Sequence, residues 1–267
     1  MTIDLPQEPP QLYVIGLGVS IPKHITTEAR ECMGQCRRIF AIVQEPPSLW
    51  IGPCESGVPE VINLLKTYAE NVLRKDNYDR AADTVLNALQ NSTPIGYVTY
   101  GNPLVYDSVA QELVRQAKQL QINVKVVPGI SSIDSLLCDL GVDMAPGIQI
   151  CEASWLVAAR IAPQTMYGMI LLQIGAFGSL RTHYRVRPTP ASLAGLVDYL
   201  KRFYPASHQV VLVRSGGTEQ QSARITKLSI ERICEADVED ILNASLYIPA
   251  VEEARIEEST LRRMLDL

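Results

Sequence analysis

The hydrophobic pattern of the chain predicts an α/β protein with a largely parallel sheet. Short apolar runs at residues 12–17, 95–100 and 124–127 are typical of buried strands. Between the second and third runs, Val109 and Leu113 belong to a segment whose apolar residues recur at helical spacing. Strands that alternate with helices in this way indicate a parallel sheet with helices on its faces.

The first elements of the chain are a strand, a loop and a helix. The first strand leads through a glycine turn into a helix that Thr26 or Thr27 can cap, with Glu28 in its first turn. Asp76 is predicted to cap a second helix. The apolar positions of that helix recur at steps of three and four: Tyr78, Ala82, Val85 and Leu89.

The rhythm of the pattern changes after Pro128 and Gly129. Strands are predicted at residues 147–151, 169–174, 209–213, 224–228 and 244–248, and helices at 133–140, 155–161 and 191–203. The last three strands are expected to form the antiparallel portion of a mixed sheet. We therefore predict two α/β domains, residues 10–127 and 128–250, followed by a charged helical tail at residues 251–267.

The composition is that of a globular protein with a modest excess of acidic residues. Among 267 residues, 29 acidic side chains stand against 24 basic ones, for a formal charge of -5. That charge argues against nucleic-acid binding through a broad basic surface. No apolar stretch has the length of a membrane helix, and the first ten residues lack the pattern of a signal peptide. We expect a cytoplasmic protein with no nucleic-acid and no membrane partner.

The cysteines do not predict a metal site. Six cysteines occur without a CxxC pair, and the chain has three histidines, so a zinc site is not expected. Cys32 and Cys36 could form a metal pair at helical spacing, but with Ala29 and Met33 they make one apolar stripe, which favours packing in a core. Scattered thiols in an acidic chain fit a reducing compartment.

The first glycines, Gly16 and Gly18, lie where a dinucleotide-binding fingerprint would begin. Ile21 occupies the position of the third glycine of that fingerprint. Arg37 and Arg38 stand near the position where an acidic residue is expected, and they would suit only a 2′-phosphate. The motif alone leaves two alternatives open, a dinucleotide site and a tight turn between a strand and a helix.

Two loops that follow predicted strands are more specific signals of a ligand site. One is the sequence YGNPLV at residues 100–105, and the other is PGISS at residues 128–132. Glycine in such loops lets the backbone approach a ligand, and proline fixes the loop. Both loops leave the carboxyl ends of strands, which is where open α/β sheets bind ligands.

Together with four further motifs, these loops resemble the tetrapyrrole methylase family, the class III S-adenosylmethionine-dependent methyltransferases. The further motifs are VIGLG at residues 14–18, DLG at 139–141, CEAS at 151–154 and LQIG at 172–175. The resemblance implies a homodimer of two-domain chains, with S-adenosyl-L-methionine in the cleft between domains and S-adenosyl-L-homocysteine as its product. The cofactor contacts that it implies are Gly16, Leu17, Gly18, Tyr100, Gly101, Asn102, Pro103, Val105, Ser131, Ser132, Gln173, Ile174, Gly175, Ala176, Ala244, Ser245 and Leu246.

Within that family the sequence looks most similar to the borosin-type peptide α-N-methyltransferases, which methylate backbone amides of a ribosomal precursor peptide (RiPP). The resemblance is carried by Tyr68, Arg74 and Tyr78, whose spacing of six and four matches the catalytic set of that group. Asn102 stands where these enzymes usually carry histidine. Further similarity lies in residues 100–105, 129–140 and 204–208.

The chemistry of amide methylation gives an independent reason for tyrosine and arginine. An amide nitrogen is a poor nucleophile because its lone pair is delocalised into the carbonyl group. A tyrosine with a pKa of about 10 becomes a better base when an arginine beside it favours the phenolate. Spacing alone also fits simpler interpretations: Tyr78 as a core residue, Arg74 as a surface charge and Tyr68 as an exposed ring.

Three functions remain compatible with the sequence. No segment rich in valine, isoleucine and glycine follows residue 249, so we expect a split enzyme that acts in trans on a separate precursor peptide. The first alternative is methylation of a tetrapyrrole or corrin precursor, or another small molecule, by the same fold. The second is a catalytically silent scaffold that binds the cofactor. Trp155 is predicted to be a packing anchor.

Overall fold

The computed structural model describes residues 9–52, 57–182, 189–216, 223–252 and 257–265. The described residues form two compact units. Unit 1 contains residues 9–52, 57–136, 180–182 and 216, and unit 2 contains residues 137–179, 189–215, 223–252 and 257–265. This division falls within a helix, α4 (Ser132–Leu140), whereas the predicted domain boundary lies at residues 127 and 128. The domain limits from the sequence stay a prediction.

The sheet of unit 1 has five strands, and all of its pairings are parallel. The strands are β1 (Leu12–Gly16), β2 (Arg38–Ala41), β3 (Glu60–Asn63), β4 (Ile95–Thr99) and β5 (Val124–Val127), in the order β3-β2-β4-β1-β5. The predicted parallel sheet is therefore confirmed. The carboxyl ends of β1, β4 and β5 are neighbours at one edge of the sheet.

Helices cover both faces of this sheet, as predicted. They are α1 (Thr27–Gln35) on one face and α2 (Arg74–Ala88) and α3 (Ser108–Gln119) on the other. Unit 1 also contains 3-10 turns at Pro47–Leu49 and Leu64–Thr67. Side chains alternate across β1, so Leu12 and Val14 pack in one core with α2 and α3. Tyr13 and Ile15 pack on the other face with α1. Burial on both faces explains why β1 and β4 are nearly continuous hydrophobic runs.

The predicted helix caps agree with the structure at one helix and fail at another. Thr26 is the cap of α1, and its hydroxyl accepts a hydrogen bond of 3.0 Å from the Ala29 N–H. The predicted cap at Asp76 is wrong, because α2 already begins at Arg74 and Asp76 lies in its first turn. The residue that precedes α2 is Leu73, whose side chain makes no capping hydrogen bond.

Unit 2 contains a mixed sheet of five strands. They are β6 (Ile148–Glu152), β7 (Gly168–Leu172), β8 (Gln209–Arg214), β9 (Arg224–Ser229) and β10 (Ser245–Ile248), in the order β6-β7-β10-β8-β9. Only β6 and β7 pair in parallel, so the predicted antiparallel arrangement of β8, β9 and β10 is confirmed. The other elements of unit 2 are α5 (Ala153–Ala158), α6 (Ala194–Leu200), α7 (Val238–Ile241), α8 (Glu258–Met264) and 3-10 turns at Ile174–Ala176, Pro190–Leu193 and Ile230–Glu235.

A single core of buried residues from α5, α6 and the sheet holds unit 2 together. Trp155 on α5 is not part of that core, because the residue is 64% exposed, so its predicted role as a packing anchor is wrong. Cys32 and Cys36 in unit 1 are buried as predicted. The helix α8 lies in the predicted helical tail, of which residues 253–256, 266 and 267 are outside the described part of the chain. Within the described ranges, no helix has the length and apolar character needed to cross a membrane.

Candidate functional site

The loops that follow β1, β4 and β5 touch one another through their backbones. Gly18 and Gly101 exchange two backbone hydrogen bonds, of 3.2 Å and 3.0 Å. A Cβ atom at Gly16 would lie 2.3 Å from the carbonyl oxygen of Gly101, and a Cβ atom at Gly129 would lie 2.3 Å from the same oxygen. Glycine is therefore required at both positions for the three loops to meet. We call residues 16–18, 100–103 and 129–131 the glycine loop cluster.

Gly101 has a different reason to be glycine. Its φ angle of +62° lies in the left-handed region, which side chains rarely adopt. The atom nearest to a Cβ placed there would be Cγ1 of Val19, at 3.6 Å, so the space beside Gly101 is not crowded. The predicted contact residues Gly16, Gly18 and Gly101 thus lie together, and Gly129, which was not among the predicted contacts, completes the cluster.

Tyr100 is held in place by its hydroxyl group. The oxygen accepts a hydrogen bond of 2.9 Å from the Gln44 N–H and donates its own proton to the Glu45 carboxylate. The Glu45 carbonyl in turn accepts a bond of 3.0 Å from the indole N–H of Trp50. Burial and the bond to Glu45 raise the pKa of Tyr100, so the phenol stays neutral. Because the residue is still 36% exposed, part of an oriented aromatic ring remains accessible.

The glycine loop cluster has the chemistry that S-adenosyl-L-methionine requires. Large apolar side chains are exposed on these loops, including Tyr100, Leu104 and Ile130. Such side chains can cover the adenine ring, and glycine-rich backbone can offer N–H and carbonyl groups at close range. Leu17 is fully buried, so only its backbone can take part. The residues present therefore fit the cofactor that the family resemblance implies.

The remaining predicted contacts of unit 1 have local roles that restrict how they can bind. The Asn102 side chain accepts a bond of 3.0 Å from the Leu104 N–H, and its carbonyl accepts one from the Val105 N–H. Asn102 thus stabilises a turn by itself. The Ser131 hydroxyl and N–H both donate to the Asp134 carboxylate, each at 2.7 Å, which resembles a capping box at α4. Pro103 is buried, and its Cδ atom would lie 2.9 Å from a Cβ placed at Gly16. Ser132 is the first residue of α4.

The predicted contacts in unit 2 follow β7 and begin β10. Gln173 has a positive φ of 58° and precedes the 3-10 turn Ile174–Ala176. A Cβ at Gly175 would lie 2.7 Å from the carbonyl oxygen of Ile241, so this glycine serves packing within the unit. Three predicted contacts are buried in the region of the central strand: Ala244, Ser245 and Leu246. The cofactor contacts assigned to these residues stay predictions.

The structure brings Tyr68 and Tyr78 together. Their ring centroids are 6.1 Å apart, with an angle of 59° between the ring planes. Tyr68 follows the 3-10 turn Leu64–Thr67, whereas Arg74 is the first residue of α2 and Tyr78 lies one turn later. All three residues are half-buried. We call these residues the tyrosine cluster.

Electrostatics around Tyr78 favour the protonated phenol. Burial raises the pKa of Tyr78, and the Asp107 carboxylate raises it further. Arg74 lowers the same pKa, which is the direction expected from the sequence, but burial outweighs it. Tyr78 is therefore a hydrogen-bond donor near neutral pH and is not a ready-made base.

A third tyrosine lies near this cluster, and no sequence pattern predicted it. Tyr97 on β4 is fully buried, and its hydroxyl donates a hydrogen bond of 2.9 Å to the Asp107 carboxylate. The other oxygen of Asp107 accepts a bond of 3.0 Å from the Ala110 N–H and caps α3. Burial and Asp107 hold the pKa of Tyr97 well above its usual range, and Tyr68 contributes in the same direction. Tyr97 lies in an apolar strand and Asp107 caps a helix, and no local pattern indicated that the two side chains would be in contact.

No group of three or more histidine, cysteine, aspartate or glutamate side chains that could hold a metal ion occurs in the described ranges.

Comparison with known proteins identifies the family of the chain. The family described as Tetrapyrrole (Corrin/Porphyrin) Methylases matches residues 11–231, so the chain belongs to that family and the predicted membership is confirmed. A "Methyltransferase/ribosomally synthesized type I borosin cyclic peptide precursor" of Gymnopilus junonius is 24% identical over 266 residues, which are 98% of this chain and 62% of the relative. A type II borosin precursor of Phlebiopsis gigantea is 26% identical over 258 residues, with 91% and 43% covered. The chain thus spans less than two thirds of the length of these relatives.

Solved structures support the fold class. The crystal structure of the methyltransferase CobJ superimposes with a TM-score of 0.62 at 14% identity, covering 93% of this chain and 97% of that chain. A uroporphyrin III C-methyltransferase from Thermus thermophilus gives a TM-score of 0.59 at 15% identity, with 94% and 99% covered. At such low identity the similarity concerns the fold alone, and it confirms the predicted α/β class.

Proposed function

We propose that the chain is an S-adenosyl-L-methionine-dependent methyltransferase that N-methylates backbone amides of a peptide in borosin-type RiPP maturation. The observation that carries this proposal is the tyrosine cluster, in which the rings of Tyr68 and Tyr78 lie together and Arg74 lowers the pKa of Tyr78, on the same unit as the glycine loop cluster. The names of the curated relatives, which combine a methyltransferase with a borosin peptide precursor, support a peptide substrate. The homodimer and the cytoplasmic location expected from the sequence stay predictions.

The proposed chemistry begins with the amide proton. Removing that proton places negative charge on the amide nitrogen and carbonyl oxygen, and it frees the lone pair for attack. When bound, S-adenosyl-L-methionine supplies a methyl group on a sulfonium centre and becomes S-adenosyl-L-homocysteine without needing an acid. The task of the protein is therefore to take the proton, to stabilise the charge and to align the nitrogen with the methyl group.

The raised pKa of Tyr78 distinguishes the roles that we propose for the two tyrosines. Tyr78 stays protonated because it is buried, so its hydroxyl can donate to the carbonyl oxygen on which charge develops. The base is then Tyr68, which gives its own proton to solvent and accepts the amide proton as the phenolate, and the charge of Arg74 stabilises the anion formed in either position. In this scheme the amide loses a proton and gains a methyl group, and the proton passes from Tyr68 to solvent.

Mass spectrometry of a methylation reaction tests the proposal. The probes are the peptide encoded beside this gene and a peptide from the part of the Gymnopilus junonius relative outside its match to this chain. We expect mass increments of one methyl group each, which fragmentation assigns to backbone amides. Calorimetry should also give a Kd of about 1 µM or lower for the cofactor and its product, which corresponds to about -8 kcal/mol.

A second candidate function is methylation of a tetrapyrrole precursor, which the description of the family, Tetrapyrrole (Corrin/Porphyrin) Methylases, favours. Uroporphyrinogen III is the probe for it in the same assay. Methylation of this compound but of neither peptide would replace the peptide proposal. Heat of binding with NADPH and none with S-adenosyl-L-methionine or its product would contradict both candidates.

A further inference from the structure

Asn77 is a buried polar side chain next to Tyr78 in the sequence, and the proposed chemistry does not use it. The residue is 1% exposed. Its side-chain oxygen accepts a hydrogen bond of 2.9 Å from the Ala69 N–H, and its side-chain nitrogen donates one of 2.9 Å to the Ala69 carbonyl. The nitrogen donates a second bond, of 2.8 Å, to the hydroxyl of Thr182. One buried amide therefore joins α2 to two other segments of the chain.

The two residues that Asn77 and Ala69 flank are the tyrosines of the cluster. Ala69 follows Tyr68 directly, and Asn77 precedes Tyr78 directly. The paired hydrogen bonds between Asn77 and the Ala69 backbone are therefore made by residues that are the direct neighbours of the two tyrosines in the sequence. They fix the distance between the segment that carries Tyr68 and the helix that carries Tyr78.

The second segment joined by Asn77 is a short strap, residues 180–182, which pairs with the residues before α2. The Thr182 N–H donates to the Val72 carbonyl and the Asn71 N–H donates to the Thr182 carbonyl, both at 2.9 Å. The Arg74 N–H donates to the Leu180 carbonyl at 2.9 Å. The N–H groups of a first helical turn have no partner within the helix, so the strap supplies one where no side chain caps α2. The backbone position of Arg74 therefore depends on the strap.

We propose that Asn77 is a positioning residue that holds Tyr68 against Tyr78 and couples both to the strap that begins α2 at Arg74. This inference rests on the proposed function of the tyrosine cluster. Asparagine suits this position because it offers an acceptor and two donors in one plane. Aspartate has the same shape, but it would place an oxygen opposite the Ala69 carbonyl and the Thr182 hydroxyl. Reactions that depend on alignment lose about 100-fold in rate from a displacement of about 1 Å.

Four variants of the full chain test the inference. Asn77→Asp removes the donor side of the amide, and Thr182→Val removes only the hydrogen bond to the strap. Thr182→Ser keeps the hydroxyl and is the rescue variant. Thr84→Val is the matched control, because the Thr84 hydroxyl donates to the Arg80 carbonyl of its own helix, at 2.7 Å. Turnover is measured with the peptide encoded beside the gene, cofactor binding by calorimetry, and ring proximity by nuclear Overhauser effects in protein with labelled tyrosine.

For Asn77→Asp we expect turnover to fall roughly 10- to 100-fold, with the Kd for S-adenosyl-L-homocysteine changed less than about twofold. Thr182→Val should lose less turnover, and Thr182→Ser and Thr84→Val should behave as wild type. The Overhauser effect between the Tyr68 and Tyr78 rings should weaken in Asn77→Asp. Wild-type turnover in a folded Asn77→Asp variant would overturn the inference.

The Overhauser effect between the Tyr68 and Tyr78 rings distinguishes failure of this inference from failure of the proposed function. If the wild-type chain methylates no peptide, the proposed function fails, but a lost Overhauser effect in Asn77→Asp would still support the positioning role. If Asn77→Asp does not fold, Thr182→Val decides, because it removes one hydroxyl at a half-buried site. Unchanged turnover and unchanged ring contacts in Thr182→Val would then contradict the proposed coupling of the tyrosines to the strap.

Discussion

The glycine loop cluster and the tyrosine cluster lie in the same unit, but different parts of the chain hold them together. In the loop cluster, backbone packs on backbone, and Gly16 and Gly129 leave no space for a Cβ atom. In the tyrosine cluster, side chains set the geometry, through Asn77 and through the contact between the two rings. Backbone contacts tolerate almost no substitution, whereas a side-chain network can lose one bond and keep its fold. The two regions should therefore fail in different ways.

The largest effect is expected from Gly129→Ala, which tests the backbone half of the comparison. The new Cβ would lie 2.3 Å from the Gly101 carbonyl oxygen and 2.7 Å from the Gly18 nitrogen, and neither atom belongs to a flexible side chain. We expect urea unfolding to show a loss of about 3 kcal/mol or more, together with loss of cofactor binding. Gly52→Ala is the control, because the nearest atoms to its Cβ are 4.0 Å away on an arginine side chain. Equal stability of the two variants would contradict the backbone packing described for the loops.

The next effect is a loss of turnover without a loss of stability, and it tests the tyrosine cluster, whose geometry is set by side chains. Tyr68→Phe deletes one hydroxyl, so the fold and the cofactor Kd should persist while turnover falls about 10²- to 10⁴-fold. Arg74→Ala should act similarly, and the double variant should be little worse than either single one because the residues act as a unit. Turnover assays and calorimetry check these expectations.

Tyr78→Phe distinguishes a catalytic donor from a core residue. The proposed function expects a loss of turnover, because the variant cannot donate to the developing charge. A stable variant with normal turnover would limit Tyr78 to packing. Wild-type rates in all three variants would refute the activation of the amide by this cluster.

A smaller effect is expected from buried tyrosines, and it differs between the two units. Tyr97→Phe should cost about 1 to 2 kcal/mol in unfolding free energy, because it leaves the Asp107 oxygen without its donor. Within the described residues, the buried hydroxyl of Tyr204 in unit 2 has no hydrogen-bond partner, so Tyr204→Phe should be neutral or stabilising. Urea midpoints of both variants test the contrast. A clear loss of stability in Tyr204→Phe would indicate a partner for that hydroxyl.

The pH dependence of stability follows from the same tyrosine. Burial raises the pKa of Tyr204 to about 12, above the unfolded value of about 10. The unfolded state therefore loses this proton first, so stability is full below pH 10 and falls as the pH rises towards 12. Tyr204→Phe should flatten that part of the curve. An unchanged slope between about pH 10 and 12 would contradict this assignment.

The smallest effect is expected from an exposed ion pair on α3, the helix that Asp107 caps. Hydrogen bonds from Arg115 hold the pKa of Glu112 at about 2. A lowered pKa stabilises the folded state above the unfolded pKa of about 4.3, and this contribution is lost as the pH falls towards 2. Since solvent screens this pair, Arg115→Ala should cost much less unfolding free energy than Tyr97→Phe, and its effect should shrink further at high salt. A loss comparable to that of Tyr97→Phe would show that exposed and buried contacts contribute alike.

The sequence predicted the elements whose pattern is local. The buried runs at β1, β4 and β5 and the cap at Thr26 needed only short-range information. Two parallel strands, β2 and β3, were not predicted; each begins with a charged residue, which an apolar pattern does not include. Arg38 illustrates the difficulty: it was considered for a phosphate, but on β2 it pairs at 2.7 Å with Glu60 of β3.

For the candidate site, the sequence selected residues that the structure brings together, but not the contacts that hold them. The loop motifs, the tyrosine spacing and the family resemblance together selected the loops and the tyrosine cluster. Asn77 and Tyr97 were not predicted. The partner of Asn77, Thr182, is far along the chain, and the partner of Tyr97, Asp107, is the cap of a helix. The same cause explains the error at Asp76, since the first N–H of α2 is paired by a carbonyl at residue 180. Contacts between distant segments leave no periodicity that a local pattern can reveal.

The strap also determines how the protein can be dissected. By its contacts it belongs to unit 1, yet it lies more than forty positions beyond Leu136, so unit 1 is discontinuous along the chain. A proteolytic fragment of residues 9–136 would retain all five parallel strands while losing the partners of Asn71, Arg74 and the Asn77 amide. In a hydrogen-exchange experiment, the amide protons of residues 71–74 should exchange faster in such a fragment than in the full chain, and α2 should fray from its amino end.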